Sequence, residues 1–424
     1  MKLSEIITRV LRSRLVGSTA IMTVGNGTRL VLGAVTFVIV ARAMGHERFG
    51  TFAAVVAIAV MAMAFSGLGG EVLLIRRVSR DPADFPAALL TALAFLAVTG
   101  PILVAIYVAA TRLVIGPTAT IPLLLLVGTS DIICQPLNNI CASCFLARSR
   151  PIGTAWLNIV FTGIRVLGAM IWVGFSAEHT VFSWAVFYVS GSLLAAALSV
   201  AQVLVMLGGP GGRVFWSEWY DGVHFALQNS FSSSFRQIDR PVIAHLSSLA
   251  DVGLYAAAFR IADAASMPVQ AIMYATFNRF FQLGAKGTSH SLRFALRILP
   301  FAVGAGVLAG IAVAIVAPFA PLLLGADYQG TRNELLLLSA LPVLLAFSYV
   351  GGDILLGSDH VVLRTLILFA MPVVSVLMCF VFVPGHGAIG AVYATLCTNA
   401  IAATVSWSAA FWVSWRQELR AAAE

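Results

Sequence analysis

Charge is what this sequence has least of. Only 10% of its 424 residues are Asp, Glu, Lys or Arg, 60% are hydrophobic, and the mean hydropathy is +0.94. That is too little polar surface to cover a soluble globule of this length. Reactive side chains are sparse as well. Cys134, Cys141, Cys144, Cys379 and Cys397 all fall within apolar runs and form neither a disulfide framework nor a metal pattern. Cys141 and Cys144 have redox spacing, but on an apolar helix the pair reads as core packing. His46, His179, His224, His245, His290, His360 and His386 are scattered, so no metal site and no cofactor are expected. Long polar loops are missing too. The external loops leave no room for a catalytic domain, and no carboxylate cluster sits at the mouth of an apolar segment, so a role other than enzyme is expected.

What the chain does have is apolar runs, each near the about 20 residues that cross a bilayer core. We count twelve, at 17–43, 49–75, 86–110, 119–146, 153–175, 181–207, 222–248, 252–281, 293–324, 333–357, 361–383 and 387–415. The net charge of +8 needs no nucleic-acid partner, because the basic residues follow the positive-inside rule. Lys2, Arg9, Arg12, Arg14, Arg76, Arg77, Arg80, Arg148, Arg150, Arg213, Arg279, Lys286, Arg293, Arg297, Arg364, Arg416 and Arg420 fall on one side. Arg42, Arg48, Arg112 and Arg332 fall on the other. Both termini are therefore expected in the cytoplasm. Residues 1–16 alternate Leu3, Ile6, Ile7, Val10 and Leu11 with basic residues, which suits an amphipathic helix on membrane lipid. The apolar stretch after it is too long for a signal peptide and reads as a retained span.

The chain also repeats itself. ARAMGHERFGTFAA from Ala41 aligns without a gap on AHLSSLADVGLYAA from Ala244, bringing Gly50 onto Gly253 and Phe52 onto Tyr255; the same register brings Asn26 onto Asn229. Six spans separate the copies, so both enter the membrane in the same sense, as parallel repeats. The expected fold is an all-α polytopic membrane protein of about twelve transmembrane helices in two six-helix lobes. Its parts are an interfacial N-terminus (1–16), an N-lobe (17–207), a cytoplasmic linker (208–221), a C-lobe (222–415) and a cytoplasmic tail (416–424). The linker, GGPGGRVFWSEWYD, combines helix-breaking glycines and Pro210 with Trp216, Trp219 and Tyr220, which suit the headgroup level.

Within the apolar runs, polar residues form stripes at helical spacing. Span seven is the strongest case, with Gln228, Asn229, Ser232, Ser233, Ser234, Arg236, Gln237, Asp239 and Arg240 ahead of Pro241. Span one carries Asn26, Arg29 and Thr36; span four Asp131, Gln135, Asn138 and Asn139; span five Asn158, Thr162 and Arg165. Span eight carries Arg260, Asp263, Gln270, Tyr274 and Asn278, and span ten Tyr349 and Asp353. An arginine or aspartate at the bilayer centre costs about 2.5 to 3.5 kcal/mol, so these stripes are expected to face one another or a wet cavity.

Two readings of the charges stand side by side. Arg236 with Asp239, and Arg260 with Asp263, have the i,i+3 spacing of local pairs that merely fix packing. Arg29, Arg165 and Arg240 have no local acidic partner, and a guanidinium fork suits phosphate or carboxylate. The candidate substrate-binding set is therefore Arg29, Arg165 and Arg240, followed by Arg236, Arg260, Asn26 and Asn229. Asp239, Asp263, Asp353 and Asp131 are candidate ion-coupling sites. Pro241 and Pro268 are expected to kink their helices, as bends or as gates. Gly304, Gly306 and Gly310 suit close helix packing. Glu71 reads as interfacial at the inner end of span two, with no role beyond a proton site.

Two stretches carry a family resemblance: ARAMGHERFGTF with the later RRVSRDP, and QIDRPVIAHLSSLADVGLYAAAFRIAD from Gln237 to Asp263. Over essentially its whole length the chain resembles the multidrug, oligosaccharidyl-lipid and polysaccharide (MOP) exporter superfamily, and within it the Wzx-like polysaccharide flippases. The resemblance implies a two-lobed twelve-helix fold in a bacterial inner membrane. It also implies alternating-access flipping of a polyprenyl-pyrophosphate-linked oligosaccharide from the cytoplasmic to the outer face, driven by ion or proton exchange if coupled. Implied partners are a polysaccharide polymerase and glycosyltransferases. In that family intramembrane arginines are thought to meet the anionic head, whereas here four intramembrane aspartates offset them. A multidrug exporter of similar fold is the alternative, against which the five intramembrane arginines speak; a polytopic enzyme or a scaffold comes further behind.

Overall fold

In the computed structural model, residues 14–285 and 287–423 are described, without the side chains of residues 14–21, 228, 229, 231–233 and 420–423. The amphipathic reading of residues 1–16 falls largely outside them. Among the described residues the chain is helical throughout: α1 (Arg14–Met63), α2 (Gly70–Arg80), α3 (Phe85–Ile115), α4 (Ile121–Gly128), α5 (Gln135–Ala147), α6 (Pro151–Phe175), α7 (Val181–Met206) and α8 (Trp219–Phe235) come first. Then follow α9 (Asp239–Leu246), α10 (Leu249–Ala265), α11 (Met267–Gly284), α12 (Thr288–Val316), α13 (Ala320–Leu324), α14 (Thr331–Leu338), α15 (Leu341–Gly357) and α16 (Val361–Ala423). Among the described residues, eight helical segments are long and apolar enough to cross a membrane. Large apolar side chains such as Leu113, Phe175, Val205, Leu308 and Val362 stand exposed along them, as lipid-facing residues do.

The twelve expected spans map onto these helices with several interruptions. α16 serves as two spans, and α1 as span one and most of span two, which continues in α2, because Gly387 (φ 54°, ψ −129°) and Gly45 (φ 73°, ψ 169°) leave helical geometry in their interiors. Both positions lie in the positive-φ region that glycine enters without a Cβ clash. Span four is α4 and α5 joined by a π-helical stretch, Thr129–Cys134, with Pro136 starting the helix that follows. Span eight is α10 and α11, parted at Ser266 just before Pro268. Span seven is α8 and α9, and here the expected position of the bend is corrected: the helix breaks at residues 236–238, ahead of Pro241. Pro241 lies in the first turn of α9, where the missing N–H has no intrahelical acceptor to lose.

Two compact units share the chain. One comprises the residues up to Met44 with Val55–Ser233; the other comprises Gly45–Ala54 with Ser234–Glu424. The sequence suggests a cytoplasmic linker at 208–221 and a C-lobe from 222; the division into units falls inside span seven and groups the linker with the first unit. The linker's contacts explain why. Arg76 Nη2 meets Asp221 at 2.8 Å, and Arg77 Nη2 meets Glu218 at 2.5 Å while its Nη1 meets Asp84 at 3.0 Å. Partial burial alone lowers the Arg77 pKa, but hydrogen bonds and charge from Glu218 and Asp84 outweigh it and raise it. Phe215 N donates to Thr91 Oγ1 at 3.1 Å, and Trp216 and Trp219 pack against Phe95, tilted and edge-on, at centroid distances of 5.8 and 5.5 Å.

Each unit has its own core. In the first, Leu74 and Val78 of α2 pack with Phe85 and Leu89 of α3, Ile140 and Phe145 of α5, Leu157 of α6 and Val203 of α7. In the second, Met273 and Phe280 of α11 pack with Ala295 and Ala302 of α12, Val350 and Ile354 of α15 and Ala410 of α16. Gly306 and Gly310 let α12 approach α15 and the turn before it: a Cβ on Gly310 would stand 2.3 Å from Ser339 O, and one on Gly306 3.0 Å from Pro342 O. Gly304, expected in the same contact, faces open space.

Candidate functional site

The intramembrane charges fall into separate clusters, each built within one unit. In the first unit the π-helical stretch carries Asp131 to meet Arg165 of α6. Arg165 Nη2 lies 3.0 Å from Asp131 Oδ1 and donates to Ser130 Oγ at 3.0 Å, while its Nε donates to Ser192 Oγ at 3.1 Å. Tyr188 Oη donates to the same Asp131 oxygen at 2.7 Å. The guanidinium lies over the Tyr188 ring at 4.3 Å and the Phe161 ring at 4.6 Å. Asp131 is buried, and its Oδ2 has no hydrogen-bond partner among the described residues. Two turns further along span four, Asn138 donates to Asn158 Oδ1 at 3.2 Å and accepts from Ser199 Oγ at 2.8 Å. The spacing-based view of Arg165 as lacking an acidic partner holds only along its own helix: its partner comes from span four.

In the second unit the local pairing expected for span seven is replaced by a longer one. Arg236 Nη2 reaches Asp263 Oδ2 at 2.7 Å, so Arg236 does not pair with Asp239, and Asp263 uses this oxygen for span seven. The break at 236–238 accounts for this, because i,i+3 neighbours face each other only along an unbroken helix. Asp239 is buried and accepts from the Tyr255 hydroxyl and, at 2.8 Å, from Arg240 N; Tyr255 Oη also lies 2.8 Å from Thr395 Oγ1. Asp353 is buried at the end of α15 and meets Arg364 at 3.3 Å.

Arg240 is held differently from the other three. Its guanidinium donates to Gln237 Oε1 and lies 5.6 Å over the Phe259 ring, with no carboxylate bonded to it and its buried Nε without a partner among the described residues. Arg29 and Asn26 are exposed on α1, and Arg29 forms no ion pair among the described residues. Arg260 is exposed on α10. The Asn229 side chain lies outside the described residues.

Sequence spacing missed Glu334. It is 1% exposed on α14, and its Oε2 lacks a hydrogen-bond partner among the described residues. A lone carboxylate at the start of span ten was the available signal. It also missed Tyr255 and Thr395 as the groups that hold Asp239. Among the described residues, no group of His, Cys, Asp or Glu could hold a metal ion.

Fold and composition together define an all-helical, multi-pass membrane protein. Its fold is similar to that of an inward-facing multidrug-resistance MATE-family transporter of the MOP superfamily, at 16% identity over 90% of this chain and 94% of that one, with a TM-score of 0.72. An outward-facing multidrug-resistance MATE-family structure is similar at 15% identity, 95% and 97% coverage and a TM-score of 0.61. So is a MOP-superfamily transporter from Pyrococcus furiosus, described as having a binding pocket of reverse polarity, at 15% identity, 94% and 95% coverage and a TM-score of 0.61. No curated protein sequence matches the chain. Residues 15–283 match the family model described as polysaccharide biosynthesis protein, and the chain belongs to that family.

Proposed function

We propose that this protein is a flippase that carries a polyprenyl-pyrophosphate-linked oligosaccharide from the cytoplasmic to the outer face of a bacterial inner membrane. Alternating access between its two halves would drive the exchange. The family match supports the saccharide, and the architecture supports transport. The observation that carries the anionic head is the contrast among the arginines. Arg165, Arg236 and Arg364 are each matched by an aspartate, whereas Arg29 and Arg240 keep guanidinium donors free of carboxylates for a pyrophosphate. In this reading Asn26 and Asn229 are further hydrogen-bonding candidates for the substrate. Asp131 and Asp239, buried and bonded to tyrosines, are the ion-coupling candidates of the two units, followed by Asp263 and Asp353; of the four, Asp239 alone has no ion pair among the described residues. Polymerase and glycosyltransferases act before and after transport on the same lipid-linked unit.

The test is genetic and biochemical. Deleting the gene in its host is expected to accumulate lipid-linked repeat units at the inner face, and the wild-type chain to relieve that accumulation. Arg29→Ala and Arg240→Ala are expected to be made and inserted normally yet fail to relieve it. Unimpaired relief by both variants sinks the phosphate-binding role, and a deletion strain without accumulation sinks the flippase.

A further inference from the structure

Glu71 sits at a break in the second span that the reading above does not use. α1 ends at Met63, and α2 restarts at Gly70 after a 3-10 turn, Ser66–Gly69. Gly67 (φ 70°), Leu68 (φ 44°) and Gly69 (φ 62°) are all left-handed. A non-glycine residue held there is strained, and such strain persists only where the surroundings enforce it. The surroundings here are close: a Cβ on Gly69 would stand 2.8 Å from Phe225 Cβ, and one on Gly222 2.5 Å from Leu68 O.

Beside the break lies a cavity of about 420 Å³, lined by Met63, Ser66, Glu71, Pro136, Asn139 and Phe225 among others. Glu71 has no hydrogen bond or ion pair with any described residue. Its natural partners are engaged elsewhere, since Arg76 and Arg77, little more than a turn along α2, are bound to Asp221, Glu218 and Asp84. Asn139 accepts from Gln135 Nε2 at 3.3 Å through its Oδ1, which leaves its amide N–H groups to donate. Ser66 gives its proton to Ile132 O at 2.5 Å, which leaves its oxygen to accept. The cavity thus holds a carboxylate acceptor, an amide donor, a hydroxyl acceptor and an aromatic wall.

Volume chooses among ligands. The space is many times that of one water and falls in the range of small organic ligands, far more than a single cation needs. A carboxylate repels a phosphate, so the pyrophosphate is excluded. A neutral ring whose hydroxyls both donate and accept, and whose C–H face lies on an aromatic side chain, satisfies every group present. Arg76 and Arg77 belong to the cytoplasmic side by the positive-inside pattern, and Trp216 and Trp219 are suited to the headgroup level. Sugars of an inner-leaflet lipid-linked substrate lie at that depth. We infer that this cavity is a sugar subsite: Glu71 and Asn139 bind the hydroxyls of one neutral sugar ring of the substrate against Phe225, separately from the arginines that meet its pyrophosphate. The inference rests on the flippase reading and adds a saccharide-selecting site to it.

Full-length protein in lipid nanodiscs is titrated with undecaprenyl pyrophosphate and with the same lipid carrying one glucose, galactose or N-acetylglucosamine. The wild type is expected to bind at least one glycosylated lipid about tenfold more tightly than the bare lipid. Glu71→Gln and Asn139→Ala are expected to remove that difference while binding the bare lipid as before. A wild-type chain that binds all four lipids equally overturns the subsite alone, as does a sugar-dependent gain that survives both substitutions. Failure to bind any of the four overturns the flippase reading and the subsite with it. Tight, Glu71-dependent binding of tetraphenylphosphonium instead reassigns the cavity to organic cations. A wild-type measurement guards against misfolded variants: a diazirine on the sugar of the best-bound lipid is expected to label residues 63–72, 135–140 or 225 on irradiation, and labelling confined to other segments overturns the subsite.

Discussion

Gly50 and Gly253, which the internal repeat places at the same register, pack against each other's helices in the structure. A Cβ on Gly50 would stand 1.7 Å from Leu249 O, and a Cβ on Gly253 would stand 1.8 Å from His46 O. The register that matches Gly50 to Gly253 also matches His46 to Leu249, so the two contacts are copies of one another. The helix starts match too: Gly45 breaks α1 where Ser248 caps α10.

Substituting either glycine drives a methyl group into backbone. Gly50→Ala and Gly253→Ala are each expected to destabilise the protein by about 1–3 kcal/mol, the range for overpacking. The double variant should cost less than the sum, since both act on one crossing. Thermal unfolding in detergent measures this, and an unchanged midpoint in both single variants contradicts the packing.

The Asp131–Arg165 pair should show the asymmetry of buried ions. Asp131→Leu or Arg165→Met alone leaves an uncompensated charge and is expected to cost about 3–5 kcal/mol, whereas the double variant recovers most of that loss. A double variant as unstable as the worse single one would show that the two charges do not compensate each other.

The half-exposed Arg236–Asp263 pair should behave oppositely. Exposed ion pairs contribute about 0–1 kcal/mol, so Arg236→Ala and Asp263→Ala are expected to leave the unfolding midpoint nearly unchanged. Any export defect in them is then a defect of transport, read by accumulation of substrate lipid at the inner face.

Glu334 is buried without a cation bonded to it. Glu334→Gln removes the burden of a desolvated carboxyl while keeping its shape, and is expected to raise the unfolding midpoint. A lowered midpoint would show that the carboxyl has a stabilising partner.

Tyr255 is the hydroxyl that holds Asp239. Tyr255→Phe leaves that buried carboxylate short of a donor and is expected to cost about 1–3 kcal/mol, again by thermal unfolding.

Most of the helical layout was legible in the sequence, because a spanning helix must satisfy its own backbone and so writes its length as an apolar run. The close approach at Gly306 and Gly310 was legible for a similarly local reason. The charges were not. Spacing reports neighbours along one unbroken helix, and it therefore offered Asp239 to Arg236, which in the structure reaches Asp263 from beyond the break at 236–238. It offered Arg165 nothing, because Asp131 comes from a different span. The break itself was sought at Pro241, where a proline in the first turn of a helix costs no hydrogen bond.

The division of the chain into units has a bearing on where the chain can be cut. The second unit contains Gly45–Ala54 from the first repeat, and the first unit contains the linker and residues 222–233 from the second. Neither repeat, taken alone, fills a unit. A cut between the repeats leaves each piece without a segment that its own unit packs.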